Sequence, residues 1–431
     1  MKLWQKDATN TSQQIVDFTV GNDRQFDLLL AQHDVKGSLA HAAMLCATGI
    51  ISEADHGTIE HTLHDILNDI QNGTFSIDEK QEDIHSQIES MLVERIGNSG
   101  KSIHTGRSRN DQVAVDIKLF LKAEIKEIKD LAITLFQTLQ SLSNRYAHVL
   151  MPGYTHMQVA MPSSFGLWFG AYAESLTDDM EMLASAWAVV NKNPLGSGAG
   201  YGSSFPLDRK LTTSLLGFAT LNYNSIYAQM TRGKSEKITA MAIANIAATL
   251  SRLSTDLCLY MNQNFGFITF PSHLTTGSSI MPHKKNPDVF ELIRAKCNRI
   301  QATPNELTLL TTNLPSGYHR DMQLTKEILF PALSELKSCM AMMNSIIAEI
   351  QVNEHILDDE KYVYLFTVEK INELVNAGTP FRDAYRQVGN KVENGTFSYS
   401  GKVSHTHEGS IGNLCNEEIK DMMATVAAKI S

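Results

Sequence analysis

The chain has 431 residues, enough for a large buried core, and 47 acidic against 37 basic side chains give a formal charge of −10. That balance argues against a binder of nucleic-acid backbones, and 43% hydrophobic residues with only 26 Gly and 11 Pro exclude disordered and low-complexity classes. No apolar run reaches the roughly 18 residues of a membrane span, no apolar signal region opens the chain, and the five cysteines are scattered, so a cytoplasmic protein with reduced thiols is expected.

Residues 1–105 hold short helical patterns, with breaks expected at Gly37, Gly49, Gly57 and Gly73. Between Gly106 and Pro152 come 45 residues without Gly or Pro. Within them Leu121, Ile125, Ile128, Ala132, Leu135, Leu139, Leu142, Tyr146 and Val149 alternate at spacings of four and three, the stripe of a long helix packed lengthwise. Similar stripes run from Phe165 to Val190 and from Ile243 to Tyr260. Residues 288–311 read as helix interrupted at Pro304, and a last stripe runs from Leu329 to Ile350 with a kink expected at Pro331. From 354 on the helices are short: Thr379-Pro380 reads as a helix start, and Gly378 and Gly389 as helix stops. The expectation is an all-α protein with an N-terminal helical domain (1–105), a central long-helix bundle (106–353) and a small helical C-terminal domain (354–431).

Three polar strings sit where long helices begin or end. HTGRSRNDQ (104–112) places Arg107, Ser108, Arg109 and Asn110 at a helix N-terminus, a ready anion site, although a solvated capping segment reads equally well. MPGYTHMQVAMP (151–162) sets Thr155 and His156 in a turn, where a histidine suits acid–base work but is more often simply solvated. TTGSSIMPHKKNPDVFELIRAK (275–296) is the specific one: a donor-rich Gly-Ser-Ser loop, then Lys284, Lys285 and Asn286, then a helix after Pro287. His85, on a helical pattern upstream, reads as structural.

The loop GSSIMPHKKNP resembles the shared loop of the fumarase/aspartase superfamily, whose members release fumarate from substituted succinates. Within it, GRSRNDQ, GYTHMQ and KKNPDVFELIR are similar to the argininosuccinate lyase family, as are FDLLLAQHDVKGS, PLGSGAGYGSSFPLDR and YHRDMQLTKE, in matching order over roughly residues 20–350. The resemblance implies a fumarase-like, three-part helical subunit in a homotetramer, and release of fumarate from argininosuccinate to give arginine. Such a β-elimination needs a base, fixed positive charge for the developing aci-carboxylate, and an acid for the departing nitrogen. By resemblance Ser278 is the base, Lys284 and loop N–H groups hold the charge, and His156, paired with Glu291, gives the proton or organises the water that does. Asn110, Thr155 and Asn286 would hold the succinyl carboxylates. Tyr318, Gln323 and Lys326 would hold the amino-acid end, with Ser108 and Arg109 lining the same pocket. No cofactor or metal is expected, because fixed charges suffice, and the partner is a small-molecule substrate rather than nucleic acid or membrane. An unbroken helix of about 40 residues between Asn110 and His156 would hold them on the order of 60 Å apart, so active sites shared between subunits are expected.

Departures from the family pattern are Asp23 in place of Ser, four residues before Asp27; Tyr227, Thr231 and Gly233 at three acidic positions; and the ending HTHEGSIGN. None touches the base loop. They leave open a modified, for example N-acylated, argininosuccinate; adenylosuccinate and a non-catalytic structural role on the same scaffold are the other readings. Four further strings carry less. His319-Arg320-Asp321 matches a kinase tripeptide without its companions, and GSGAGYG (196–202) fails the dinucleotide spacing. His405 and His407 with Cys415 make a weak metal set, and His56, His61 and His64 read as a solvated helix face.

Overall fold

The structure, a computed structural model, describes residues 13–431, which fold as two units. One comprises residues 13–128, 182–244 and 300–335; the other comprises 129–181, 245–299 and 336–431.

In the first unit, α1 (Gln13–Val20) precedes the 25-residue α2 (Asp23–Ala47), then α3 (Glu53–Gln71), α4 (Ile84–Ile96) and the single turn α5 (Asn98–Lys101). Ser52 and Asp83 cap α3 and α4 by accepting from Asp55 N and Ser86 N, which satisfies donors a helix start leaves bare. Val35, Leu45, Ile59, Leu63, Ile66, Ile84 and Leu92 meet in a core closed to solvent. Two of the four expected glycine breaks are not breaks: Gly37 lies inside α2 and Gly57 inside α3. A Cβ at Gly37 would stand 3.4 Å from Val115 Cγ1, so a small residue there lets the next long helix pass close by. Gly49 and Gly73 do end helices, with φ of +72° and +71°.

The 37-residue α6 (Arg109–Arg145) buries Leu121, Ile125, Ile128, Ala132, Leu135, Leu139 and Leu142 as its stripe foretells, and ends before Tyr146 and Val149. Its start is a reciprocal cap. Ser108 Oγ accepts from Asn110 N at 3.2 Å, and Asp111 Oδ1 accepts from Ser108 N at 2.9 Å. The glycine-rich string, set aside as a nucleotide loop, anchors that aspartate. Gly196 and Gly198, at positive φ, each aim an N–H at Asp111 Oδ2 from 2.9 Å.

Between α6 and α7 (Phe165–Val190) lies a hairpin that periodicity does not announce, β1 (Leu150–Thr155) and β2 (Gln158–Ser164). Beyond α7 come β3 (Lys192–Asn193), α8 (Arg209–Leu215), β4 (Thr220–Leu221), α9 (Ser225–Met230) and α10 (Lys234–Met261). Paired short strands follow: β5 (Ile268–Thr269) with the later β8 (Gln351–Val352), and β6 (Thr276–Gly277) with β7 (Lys285–Asn286). The helical stretch 288–311 divides into α11 (Asp288–Ile300) and α12 (Thr303–Leu310), with Pro304 in the first turn of α12. Pro331 sits inside α13 (Thr325–Ile347), which runs as one helix across it.

In the second unit α14 (Thr367–Asn376), α15 (Phe381–Glu393) and α16 (Asn416–Ala427) follow. Pro380 takes the N-cap place of α15 without a side-chain cap, so Thr379 is one residue outside. Gly378, at φ +98°, follows the end of α14, whereas Gly389 lies within α15 rather than stopping it. No described helix is long and apolar enough to cross a membrane, and all five cysteines are free thiols.

Candidate active site

In the first unit a cavity of about 620 Å³ opens between the end of α1, the start of α2, residues 82–85, the start of α6 and residues 318–326. Arg109, Asn110, Tyr318, Gln323 and Lys326, all expected at a site, line it together. Asp23, Asp27, Glu82, Asp83, His85, Arg232 and Arg320 line it too. Ser108 is not among the lining residues, because its hydroxyl serves the cap of α6.

The wall is a lattice of compensated charge. Lys326 Nζ lies 2.5 Å from Asp23 Oδ1 and 2.5 Å from Asp27 Oδ1, and Ile84 N donates to Asp27 Oδ2 at 3.2 Å. Arg109 reaches Asp83 at 3.1 Å and Ser86 Oγ at 2.8 Å, Arg320 reaches Glu82 at 2.8 Å, and Arg232 pairs with the buried Glu236 at 2.9 Å. Gln323 donates to Thr19 O and Val20 O at 3.1 and 3.2 Å, which ties the end of α1 to the cavity. Burial, and then Asp27, push the Asp23 carboxyl up to about 6 against the pull of Lys326. Burial works to lower Lys326, but the two carboxylates outweigh it and hold the ammonium above its ordinary value.

His85 stands at the cavity wall with two buried carboxylates against its Nδ1: a hydrogen bond to Asp34, and Asp116 Oδ2 at 3.6 Å. Burial alone would strip the proton from His85, but Asp34 and then Asp83 and Asp27 raise its pKa instead. Burial and the neighbouring Asp34 carry Asp116 well above the carboxylate range, while His85 overcomes burial to hold Asp34 below it. Asp116 is thus pushed toward its neutral form, and His85 and Asp34 toward their charged forms. Among the described residues this is also the one group of three His, Cys, Asp or Glu whose ligand atoms lie within 4.8 Å of one another. The His85–Asp34 hydrogen bond already occupies the atoms that would face an ion. His405 instead bonds Glu369 and Ser410, so its tract with His407 has ordinary structural partners.

The second unit holds the other expected groups. The strands β6 and β7 pair Thr276 with Asn286 and Gly277 with Lys285, closing a loop over residues 278–284. On it Ser278 Oγ accepts from Met281 N at 3.1 Å and from Ile280 N at 3.4 Å, so two N–H dipoles point at the oxygen. Lys284 is exposed on the same loop, and Asn286 Nδ2 donates to Gly277 O at 3.3 Å. Glu291 is exposed in the first turn of α11. In the hairpin Thr155 pairs with Gln158, leaving His156 and Met157 as a two-residue turn with φ of +53° and +59°. Both are in the left-handed conformation that such turns demand and that side chains resist, which projects an exposed His156 at the tip. Within one chain His156 makes no hydrogen bond to Glu291 among the described residues.

Sequence reasoning missed Glu82, Asp83, Arg232 and Arg320 as cavity residues and read His85 as structural. No spacing rule selects them, since residues 82–83 precede a helix and Arg320 lies in a 3₁₀ turn. The signal that existed was the departure at Asp23, one helical turn from Asp27.

Comparisons with known proteins bear on the fold and the family. A protein-family match described as Lyase spans residues 10–302. An argininosuccinate lyase of Parabacteroides distasonis is 56% identical over 430 residues, all of this chain and 96% of that protein. Among solved structures, an EDDS lyase variant with bound fumarate superposes with a TM-score of 0.78 at 20% identity, covering 98% of this chain and 92% of that one. A class II fumarase from Schistosoma mansoni gives 0.71 at 16%, covering 94% of each chain. The helical, fumarase-like fold is thereby established, and the chain belongs to the argininosuccinate lyase family.

Proposed function

We propose that the protein releases fumarate from argininosuccinate by β-elimination, leaving arginine. The observation that carries this reading is the cavity in which Arg109, Asn110, Tyr318, Gln323 and Lys326 converge, in a chain 56% identical to a lyase of that name. Ser278 takes the proton beside the succinyl carboxylate. The Ile280 and Met281 N–H groups that reach its oxygen are placed to favour an alkoxide, and Lys284 supplies the fixed positive charge. His156, oriented by Glu291, returns a proton to the departing nitrogen or organises the water that does. Asn110, Thr155 and Asn286 hold the succinyl carboxylates, and the cavity around Tyr318, Gln323 and Lys326 holds the amino-acid end. Purified protein should raise fumarate absorbance with argininosuccinate and not with adenylosuccinate. Release from adenylosuccinate alone, or from neither, overturns the assignment.

The working form is a homotetramer with sites shared between subunits. Asn110 is in the first turn of α6, and His156 follows that helix's last residue by eleven positions. At 1.5 Å per residue the 37-residue helix is about 55 Å long, far longer than the substrate. The test mixes two inactive variants, Asn110→Leu and His156→Ala, and refolds them together. Sites that take the two residues from different chains recover about a quarter of wild-type activity in random 1:1 assemblies. Hybrids that form and stay inactive rule the sharing out.

A further inference from the structure

Behind the first unit's cavity three helices bring three buried titratable groups together: Asp34 on α2, His85 on α4 and Asp116 on α6. One oxygen of each carboxylate and one nitrogen of the imidazole lie within 4.8 Å of one another. His85 Nδ1 is hydrogen-bonded to Asp34, but Asp116 Oδ2 stands 3.6 Å from it, beyond hydrogen-bond reach. Donors are therefore short. Asp34 Oδ1 and both oxygens of Asp116 find no hydrogen-bond partner among the described residues, and all three are shut off from solvent. Arg107, just ahead of α6, favours an ionised Asp116, yet its Nη1 donates to Ser38 Oγ at 2.9 Å. Asp34 and Asp27 oppose that ionisation from α2, and Asp83 and Asp27 face His85 as well. Two adjacent buried carboxylates with one bonded cation between them cannot both ionise cheaply. A single proton held between Asp116 and Asp34 supplies the missing donor and removes the second charge.

What the trio anchors is the turn at residues 83–86, which forms one side of the cavity. Asp83 and Ser86 hold Arg109 at 3.1 and 2.8 Å, and Ile84 N donates to Asp27, the partner of Lys326. His85 sits in the middle of that turn and lines the cavity, whereas Asp116 is 1% exposed and is not among the lining residues. We propose that Asp116 is a positioning residue for the elimination: as a carboxylic acid donating to Asp34, it leaves Asp34 and His85 as a single charged pair and keeps the 83–86 turn where Arg109 and Lys326 need it. The inference rests on the elimination reading above and adds to it a residue that touches no substrate. An ionised Asp116 would set like charges against each other across α2 and α6 and pull His85 between two partners.

The test compares Asp116→Asn and Asp116→Ala with wild type in fumarate release from argininosuccinate. Asparagine keeps the shape and offers an N–H to Asp34, so it stands in for the acid; alanine takes the donor away. Asp116→Ala should raise KM at least ~10-fold with a smaller change in kcat, the scale of one buried acceptor left without its donor, and Asp116→Asn should stay within ~3-fold of wild type. Infrared difference spectra of wild type against Asp116→Asn at pH 7 should show the carbonyl stretch of a protonated carboxyl group in wild type alone. A KM raised as far in Asp116→Asn as in Asp116→Ala overturns the proposal. So does an unchanged KM in Asp116→Ala, or a wild type without the carboxylic-acid band. If circular dichroism shows the alanine variant unfolded, the asparagine variant and the infrared band decide. Silence of wild type on argininosuccinate overturns the elimination reading and this role with it, whereas normal turnover without the band overturns this inference alone.

Discussion

The cavity of the first unit and the two loops of the second solve opposite problems with similar residues. In the cavity the four cations Arg109, Arg232, Arg320 and Lys326 each have a carboxylate partner, at distances between 2.5 and 3.1 Å. On the loops, Lys284 and His156 stand exposed, and their side chains make no hydrogen bond or ion pair among the described residues. A prepaired wall fixes geometry and recognises by small imbalances of charge. An unpaired loop keeps its charge available for a molecule that is not yet there. On the proposed reading, binding groups belong to the first kind and reacting groups to the second.

The largest effects should come from the loops. Ser278→Ala removes a hydroxyl that packs against nothing buried, so thermal stability should stay within about 1 kcal/mol of wild type. Turnover should fall by ~10²–10⁴-fold or more, as for a lost general base. Lys284→Met should fall by the ~10²–10³-fold of one lost charge-stabilising donor. Single-turnover fumarate release checks both, and near-normal kcat in Ser278→Ala would remove that residue from the chemistry.

The wall should respond in stability instead. Asp34→Asn takes the ionised partner from the buried His85 and should cost about 3 kcal/mol, the scale of a broken buried pair. Asp116→Asn replaces a group that burial and Asp34 push toward its neutral form with a neutral one of the same shape, so its cost should stay under about 1 kcal/mol. Urea midpoints compare the two. The reverse order would place the ionised carboxylate on Asp116 and undo the assignment.

How much of this was legible in the sequence follows the same division. Stripes such as Phe165 to Val190 were readable because burial repeats with the helical period, and every position of that stripe is buried. The hairpin at 150–164 was not, because Pro152, Gly153 and Pro162 read as turn residues although Pro152 and Pro162 lie opposite each other in its register. The loop residues were singled out through two strings each contiguous in sequence. The wall was found only in part: Tyr318, Gln323 and Lys326 sit in one string, while their partners Asp23, Glu82 and Arg232 come from distant segments that only the fold brings together. Gly37 misled for a related reason, since a glycine that lies against a neighbouring helix looks in one dimension like a glycine chosen for a turn, while Gly57 sits exposed inside α3 with open space around it.

The smallest effect probes the one imbalance in the wall. The Asp23 carboxyl is raised from 3.8 to about 6 by burial first and Asp27 second. Between those values the folded chain binds more protons at Asp23 than the unfolded chain does. Stability therefore falls as pH climbs from about 4 to 6, and the penalty persists in full above that window. A shift of roughly two pKa units sets a ceiling of about 3 kcal/mol. Asp23→Asn cannot ionise and leaves Lys326 in a neutral pair with Asp27. Its melting temperature should match wild type near pH 4, exceed it increasingly up to pH 6, and stay above it by a constant margin at pH 7.5. A wild type more stable than the variant at pH 7.5 would mean that Lys326 needs both carboxylates, with no charge in surplus.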